Sequence, residues 1–315
     1  MSRRTSSFAA VLLVLVSAAP VSAGPGPWGL TPGQWYSEFR GSMFTADSWH
    51  NDDGERIGRY GGGTDEQRTP LSYTELGWKK KTSFILGVPL ESITRRESPG
   101  TFMRTETGLS DALIGFRYQL ANGPTAVSIQ AEWKAPLGYN RHVLATHQDS
   151  IQAGDASGNG DSLNVDFLRQ TAPPRLGEGQ QDLGIGLGVG KSLPGIHGYA
   201  QAFGGYRYRF DEPADQFVAN AEVGFWVTHT LMLGGRYDGE MATGKGNVPS
   251  DEVTHHRVGP RLVYRIDDSI DLLIESLHTL SASNAFHTDE VFVGMAFKRS
   301  TLNRLQGALG TLASP

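Results

Sequence analysis

Val127-Ser-Ile-Gln-Ala-Glu-Trp-Lys-Ala-Pro-Leu137 alternates with a period of two. Val127, Ile129, Ala131, Trp133, Ala135 and Leu137 fall on one face, and Ser128, Gln130, Glu132 and Lys134 on the other. A helix would scatter these residues around its circumference, whereas a strand sorts them onto two sides. Phe217 to Val227 repeats the pattern, with Phe217, Ala219, Ala221, Val223, Phe225 and Val227 opposite Asn220, Glu222 and Gly224. Leu183, Ile185, Leu187 and Val189 alternate with Gly184, Gly186, Gly188 and Gly190.

Working outward, twelve such segments can be marked, at roughly 34–44, 70–78, 82–93, 109–121, 125–138, 180–193, 198–210, 216–228, 231–242, 251–266, 270–283 and 289–299. Every even connection is tight: Lys79-Lys80-Lys81, Asn122-Gly123-Pro124, Pro194 to His197, His229-Thr230 and Asp267-Asp268-Ser269. Most odd connections are longer and polar, and the two longest are 45–69 and 139–179. Short turns on one rim and long loops on the other mark an outer-membrane barrel. The expected fold is all-β, a single transmembrane antiparallel up-and-down β-barrel of about 12 strands, set in bacterial outer-membrane lipid.

The polar face tests this against a soluble sandwich or lipocalin-like barrel. Glu132 and Lys134, Arg207 and Arg209, Arg236 and Asp238, and Arg257, Arg261 and Arg265 each share a face with small or polar residues. Glu38, Asp111, Asp182, Glu222, Asp271 and Glu275 take the same side. A packed apolar core would make such charges costly, while a wet lumen tolerates them. Trp35, Tyr118, Tyr206, Tyr208, Phe210 and Tyr264 lie near segment ends on the opposite face, as interfacial aromatics do. The expected solute path is lined by Glu132, Lys134, Arg207, Arg209, Glu222, Arg236, Asp238, Arg257, Arg261 and Arg265. Rows of opposite charge would either set a transverse field across a pore or lock the barrel with salt bridges. The 139–179 loop is the expected constriction.

The first residues read as an export signal. Arg3 and Arg4 give a positive start, Phe8 to Val16 an apolar stretch, and Val21-Ser22-Ala23 a cleavage site. The expected division is a signal peptide over 1–23, a barrel over 24–299 and a short periplasmic tail over 300–315, where Leu302, Leu305 and Leu309 share one helical side. Forty glycines and a hydrophobic fraction of 38% argue against a helical membrane protein. The absence of cysteine rules out disulfides and thiolate metal sites, and a net charge of −5 offers nucleic acid no footprint.

No enzyme is expected. Lipid-acting barrels place a His-x-Ser pair on one strand face, and no His in this chain has Ser two positions later. Asp238, Glu240 and His255 form a weak omptin-like constellation. His255 and His256 are adjacent, so they point to opposite faces and make no two-His metal site. Asp155 to Asp166 imitates a calcium loop, with oxygens at positions one, three, five and twelve and Gly at six, but its last ligand is Asp where the calcium loop has Glu. A plain surface loop is the competing reading, and no cofactor or metal is expected.

Gly108-Leu-Ser-Asp-Ala-Leu-Ile-Gly-Phe-Arg-Tyr-Gln-Leu120 resembles the GxGDxxxGxKYRL strand of the outer-membrane family named after the MetA pathway of phenol degradation. Gln180 to Leu193 is similar in style, again placing an Asp, Asp182, before a Gly/apolar strand. The resemblance implies an outer-membrane barrel passing small, often aromatic or hydrophobic compounds; Asp111 and Asp182 match the motif as strand-start residues. The function expected from sequence is therefore a passive channel for small solutes, working as a monomer. A lipid-acting barrel enzyme and a structural or adhesive barrel with partner-binding loops are the alternatives.

Overall fold

The computed structural model describes residues 26–58, 64–96, 103–137, 180–210, 214–244 and 252–298. The expected signal segment, the 139–179 connection with its calcium-like stretch, and the C-terminal tail lie outside them.

Alternating residues build one antiparallel sheet from β1 (Trp35–His50), β2 (Arg56–Gly58), β3 (Thr64–Lys79), β4 (Thr82–Arg96), β5 (Met103–Leu109), β6 (Asp111–Ala121), β7 (Thr125–Pro136), β8 (Asp182–Leu193), β9 (Gly198–Arg209), β10 (Gln216–Trp226), β11 (Leu231–Ala242), β12 (Thr254–Asp267), β13 (Ile270–Ser283) and β14 (Ala285–Lys298). Neighbours in sequence pair in space, and β14 returns to pair with β1 from Tyr36↔Lys298 to His50↔Ala285, closing the sheet. β2 is a flap that pairs only with the end of β1. β5 and β6 both pair with β4 and count as one strand broken at Ser110, so the wall has twelve strands. The break has a local cause. Pro89 of β4 has no N–H to give the ladder, so pairing jumps from Gly87↔Leu113 to Leu90↔Leu109, and the Pro89 carbonyl accepts from Ser110 N at 3.1 Å.

The outward face is apolar. Phe39, Trp78, Phe116, Ile129, Leu183, Ile185, Phe217, Val223 and Val293 are among its exposed large side chains. An apolar belt running round a whole barrel is an aggregation surface in water and a lipid contact in a bilayer. No helix among the described residues is long and apolar enough to cross a membrane. Trp35, Tyr118 and Tyr264 stand outward on the tight-turn rim, and Tyr206, Tyr208 and Phe210 outward on the loop rim. The fold is a closed outer-membrane β-barrel.

Three expectations about connections need correction. Most of 45–69 is strand, since β1 runs to His50 and β3 starts at Thr64. The chain over 94–108 is largely β4 and β5. Beyond the bilayer the outward residues turn polar, so the hydrophobic alternation stops while the hydrogen-bond ladder continues. The last loop-side connection is also shorter than expected. Asn284 alone separates β13 from β14, with a φ of 53° that an Asn tolerates better than most residues.

Candidate solute path through the lumen

Inward positions of successive strands carry the charges, and curvature brings those of next-nearest strands within reach of one another. Arg261 of β12 donates to Glu222 of β10 at 3.0 Å and to Glu275 of β13 at 3.4 Å. Arg236 of β11 meets Glu275 at 3.0 Å. Arg257 meets Asp238 at 2.5 Å and Glu290 of β14 at 2.7 Å. Arg207 of β9 donates to Glu240 at 3.1 Å and to the side-chain oxygen of Gln216 at 2.9 Å. Lys134 of β7 lies 2.6 Å from Asp182 of β8, and Arg209 lies 3.7 Å from the same carboxylate. Glu132 accepts from Gln130 at 2.9 Å, and Arg265 lies 3.6 Å from Asp271 while covering the Trp226 ring at 4.0 Å.

All ten expected side chains are therefore inward, but not as separated rows. The basic groups of β9, β11 and β12 are interleaved with acids from β10 to β14, and the ion pairs run along the wall. A buried charge needs a close partner, and here the partner comes from the strand one or two places away. The lumen also has apolar patches. Tyr73, Ile85 and Leu113 form one, and Met232, Val263, Leu273 and Ala296 another.

Three spaces adjoin inside the wall. The outer vestibule is lined by residues including Arg40, Glu132, Lys134 and Arg207. The middle space has Glu132, Gln201, Glu222 and Arg236 on its wall. The inner mouth is bordered by Gln201, Glu222, Arg261 and Arg265 among others. Glu132 borders the first two, and Gln201 and Glu222 border the last two. Asp238, Arg257 and Arg209 belong to the ion pairs of the wall.

What narrows the described lumen is the segment before β1. The Gly26 carbonyl accepts from Arg117 Nη1 at 2.8 Å, and that of Pro27 from Gln119 Nε2 at 2.7 Å. Gly29 N donates to Gln119 Oε1. Trp28 donates Nε1 to the Gly123 carbonyl at 3.2 Å and packs edge-on against Tyr199. β8 makes room for it with bare backbone: a Cβ on Gly190 would come within 2.4 Å of Pro27 and 2.6 Å of Trp28. The sequence reading missed this segment, which has no periodicity. It also missed Arg117, although counting by twos from Asp111 reaches it, and Arg40, two places from the acid it named, Glu38.

The catalytic candidates fare differently. Asp238, Glu240 and His255 are neighbours, but all three are buried inward and both acids are held by arginines. His256 faces the other way, with Tyr237 Oη 2.6 Å from its Nδ1. On the outer wall, Ser276 Oγ lies 3.2 Å from His278 Nε2, and His278 Nδ1 lies 2.7 Å from Asp289 Oδ1. A search for His-x-Ser misses this pair because its order is Ser-x-His. Among the described residues no group of three or more His, Cys, Asp or Glu side chains could hold a metal ion.

No known family's sequence profile matches the chain, and no curated protein does. Among solved structures, an outer membrane channel from Pseudomonas putida F1 is similar with a TM-score of 0.63 and 11% identity, over 86% of this chain and 97% of that one. The NanC porin follows with a TM-score of 0.45 and 8% identity, over 83% and 98%. The translocator domain of the autotransporter NalP from Neisseria meningitidis has a TM-score of 0.44 and 11% identity, over 85% and 89%. The last two likenesses are too loose to add weight. The first is one of fold, and with the apolar outer belt it makes this chain a bacterial outer-membrane β-barrel.

Proposed function

We propose that this barrel is a passive channel for small solutes, working as a single chain, with aromatic or other apolar compounds as the solute class that the MetA-pathway resemblance implies. The observation that carries the reading is a charge-lined interior holding three spaces that share lining residues. The Pseudomonas putida F1 barrel being a channel agrees with it. A twelve-stranded wall encloses less than a sixteen-stranded porin, which suits selective passage better than general diffusion. Arg207 lines the outer vestibule and Arg261 the inner mouth. Replacing both with alanine should alter single-channel conductance and shift ion selectivity toward cations in planar bilayers. A wild-type barrel that carries no current would end the reading.

A second reading, a lipid-ester hydrolase, rests on Ser276, His278 and Asp289. Their contacts follow the order of nucleophile, base and orienting carboxylate. They stand on the outer wall between the exposed Ile274 and Leu280. Purified protein should then release fatty acid from phospholipid, and Ser276→Ala should abolish the release. Wild-type protein without that activity removes the reading.

A further inference from the structure

We infer that Arg40 is the anchor of a binding subsite in the outer vestibule for small carboxylates with an apolar body. The inference deepens the channel reading and rests on it. Arg40 is buried and borders the vestibule. Its nearest carboxylate is Glu38, with Oε1 3.4 Å from Nε, and neither Nε nor the buried Nη2 makes a hydrogen bond. Glu38 offsets the charge but leaves the guanidinium fork untaken. In contrast, Arg117, Arg207, Arg236, Arg257 and Arg261 each donate to a carboxylate at 2.5–3.1 Å. Leaving buried donors without an acceptor is costly, and a planar fork of N–H groups is the shape that takes a carboxylate with two bonds.

The surroundings say what that carboxylate is attached to. The Arg40 guanidinium lies 5.1 Å from the centre of the Phe292 ring, and Phe292, Leu71, Pro89 and Leu113 line the same space. Gly294, the register partner of Arg40, puts no side chain over it. Lys134 and Arg207 also border this space, but Glu91, Asp111, Glu132, Asp182 and Glu290 outnumber the cations, so a ligand with a second negative charge is disfavoured. The geometry selects one carboxylate on a compact apolar or aromatic skeleton.

Benzoate, benzyl alcohol and acetate separate the parts of this recognition. Titrated calorimetrically into the folded, detergent-solubilised barrel, benzoate should bind at least about tenfold more tightly than either of the others, as expected from losing one charge-assisted hydrogen bond or the apolar body. Arg40→Gln should lose that preference, weakening benzoate binding far more than benzyl alcohol binding. Arg40→Lys, which keeps the charge without the fork, should lose part of it and decides the matter if the Gln variant does not fold. Equal binding of benzoate and benzyl alcohol by the wild type, or undiminished benzoate binding by both Arg40 variants, overturns the subsite. Acetate binding as tightly as benzoate overturns its apolar half. Conductance measured on the same preparation keeps the two claims apart. A conducting barrel without benzoate preference sinks the subsite alone, and a benzoate-binding barrel without current sinks the channel alone.

Discussion

Arg257 sits between Asp238 and Glu290, donating Nη2 to the first at 2.5 Å and Nη1 to the second at 2.7 Å. All three are buried in the wall of the lumen. Removing the cation leaves two desolvated carboxylates facing each other, so Arg257→Gln should cost roughly 3–5 kcal/mol of folding stability, the penalty typical of breaking a buried pair. Urea titration of folding into lipid vesicles measures it, and adding Glu290→Gln should recover part of the loss. A cost below about 1 kcal/mol would mean that lumen water screens the site as it does a surface pair. That Arg257 faces inward was readable by counting in twos along β12. Which carboxylates it meets was not, because they come from β11 and β14, far away in sequence.

At the scale of the element, β8 shows how one strand serves two solvents. Its outward residues, Leu183, Ile185, Leu187 and Val189, are exposed to lipid, while Gly184, Gly186, Gly188 and Gly190 line the lumen. Leu187→Arg, near the middle of the strand, should destabilise the folded barrel by about 2–4 kcal/mol, as charges near the bilayer midplane do, and leave conductance alone. Gly190→Val should do the reverse. Its side chain takes the space of Pro27 and Trp28, so the segment before β1 is pushed out and single-channel conductance rises. An unchanged conductance in folded Gly190→Val would show that this segment does not limit flow. The alternation of β8 was plain in the sequence, and so was the direction of its glycines. Their purpose was not, since nothing near β8 in the chain indicates that residues 26–29 come to lie against it.

The whole molecule depends on closure. β1 and β14 are at opposite ends of the described chain, yet Met43 pairs with Val291 and Gly41 with Val293. Closure leaves the wall no free edge, the condition for strands to sit in hydrocarbon without unpaired backbone groups. The natural chain has no cysteine, so a Met43→Cys, Val291→Cys double variant offers a clean test. The disulfide should form in the folded barrel without reducing its stability and abolish the heat-induced change in gel mobility until reductant is added. Two thiols that stay free under oxidation would contradict the register of the seam.

By itself the sequence determined which side chains turn to lipid, where the tight turns fall and that twelve strands make the wall. These follow from a two-residue period and from turn residues, which act over a few positions. It did not reveal how far β1 and β3 rise past the bilayer, because hydrogen bonding outlasts hydrophobic alternation there. Only the tertiary structure decided which charges pair, that Arg40 keeps its fork free, and that residues 26–29 occupy the inner lumen. Each of these depends on distances across a closed, curved wall, set by all twelve strands together and written in no single one of them.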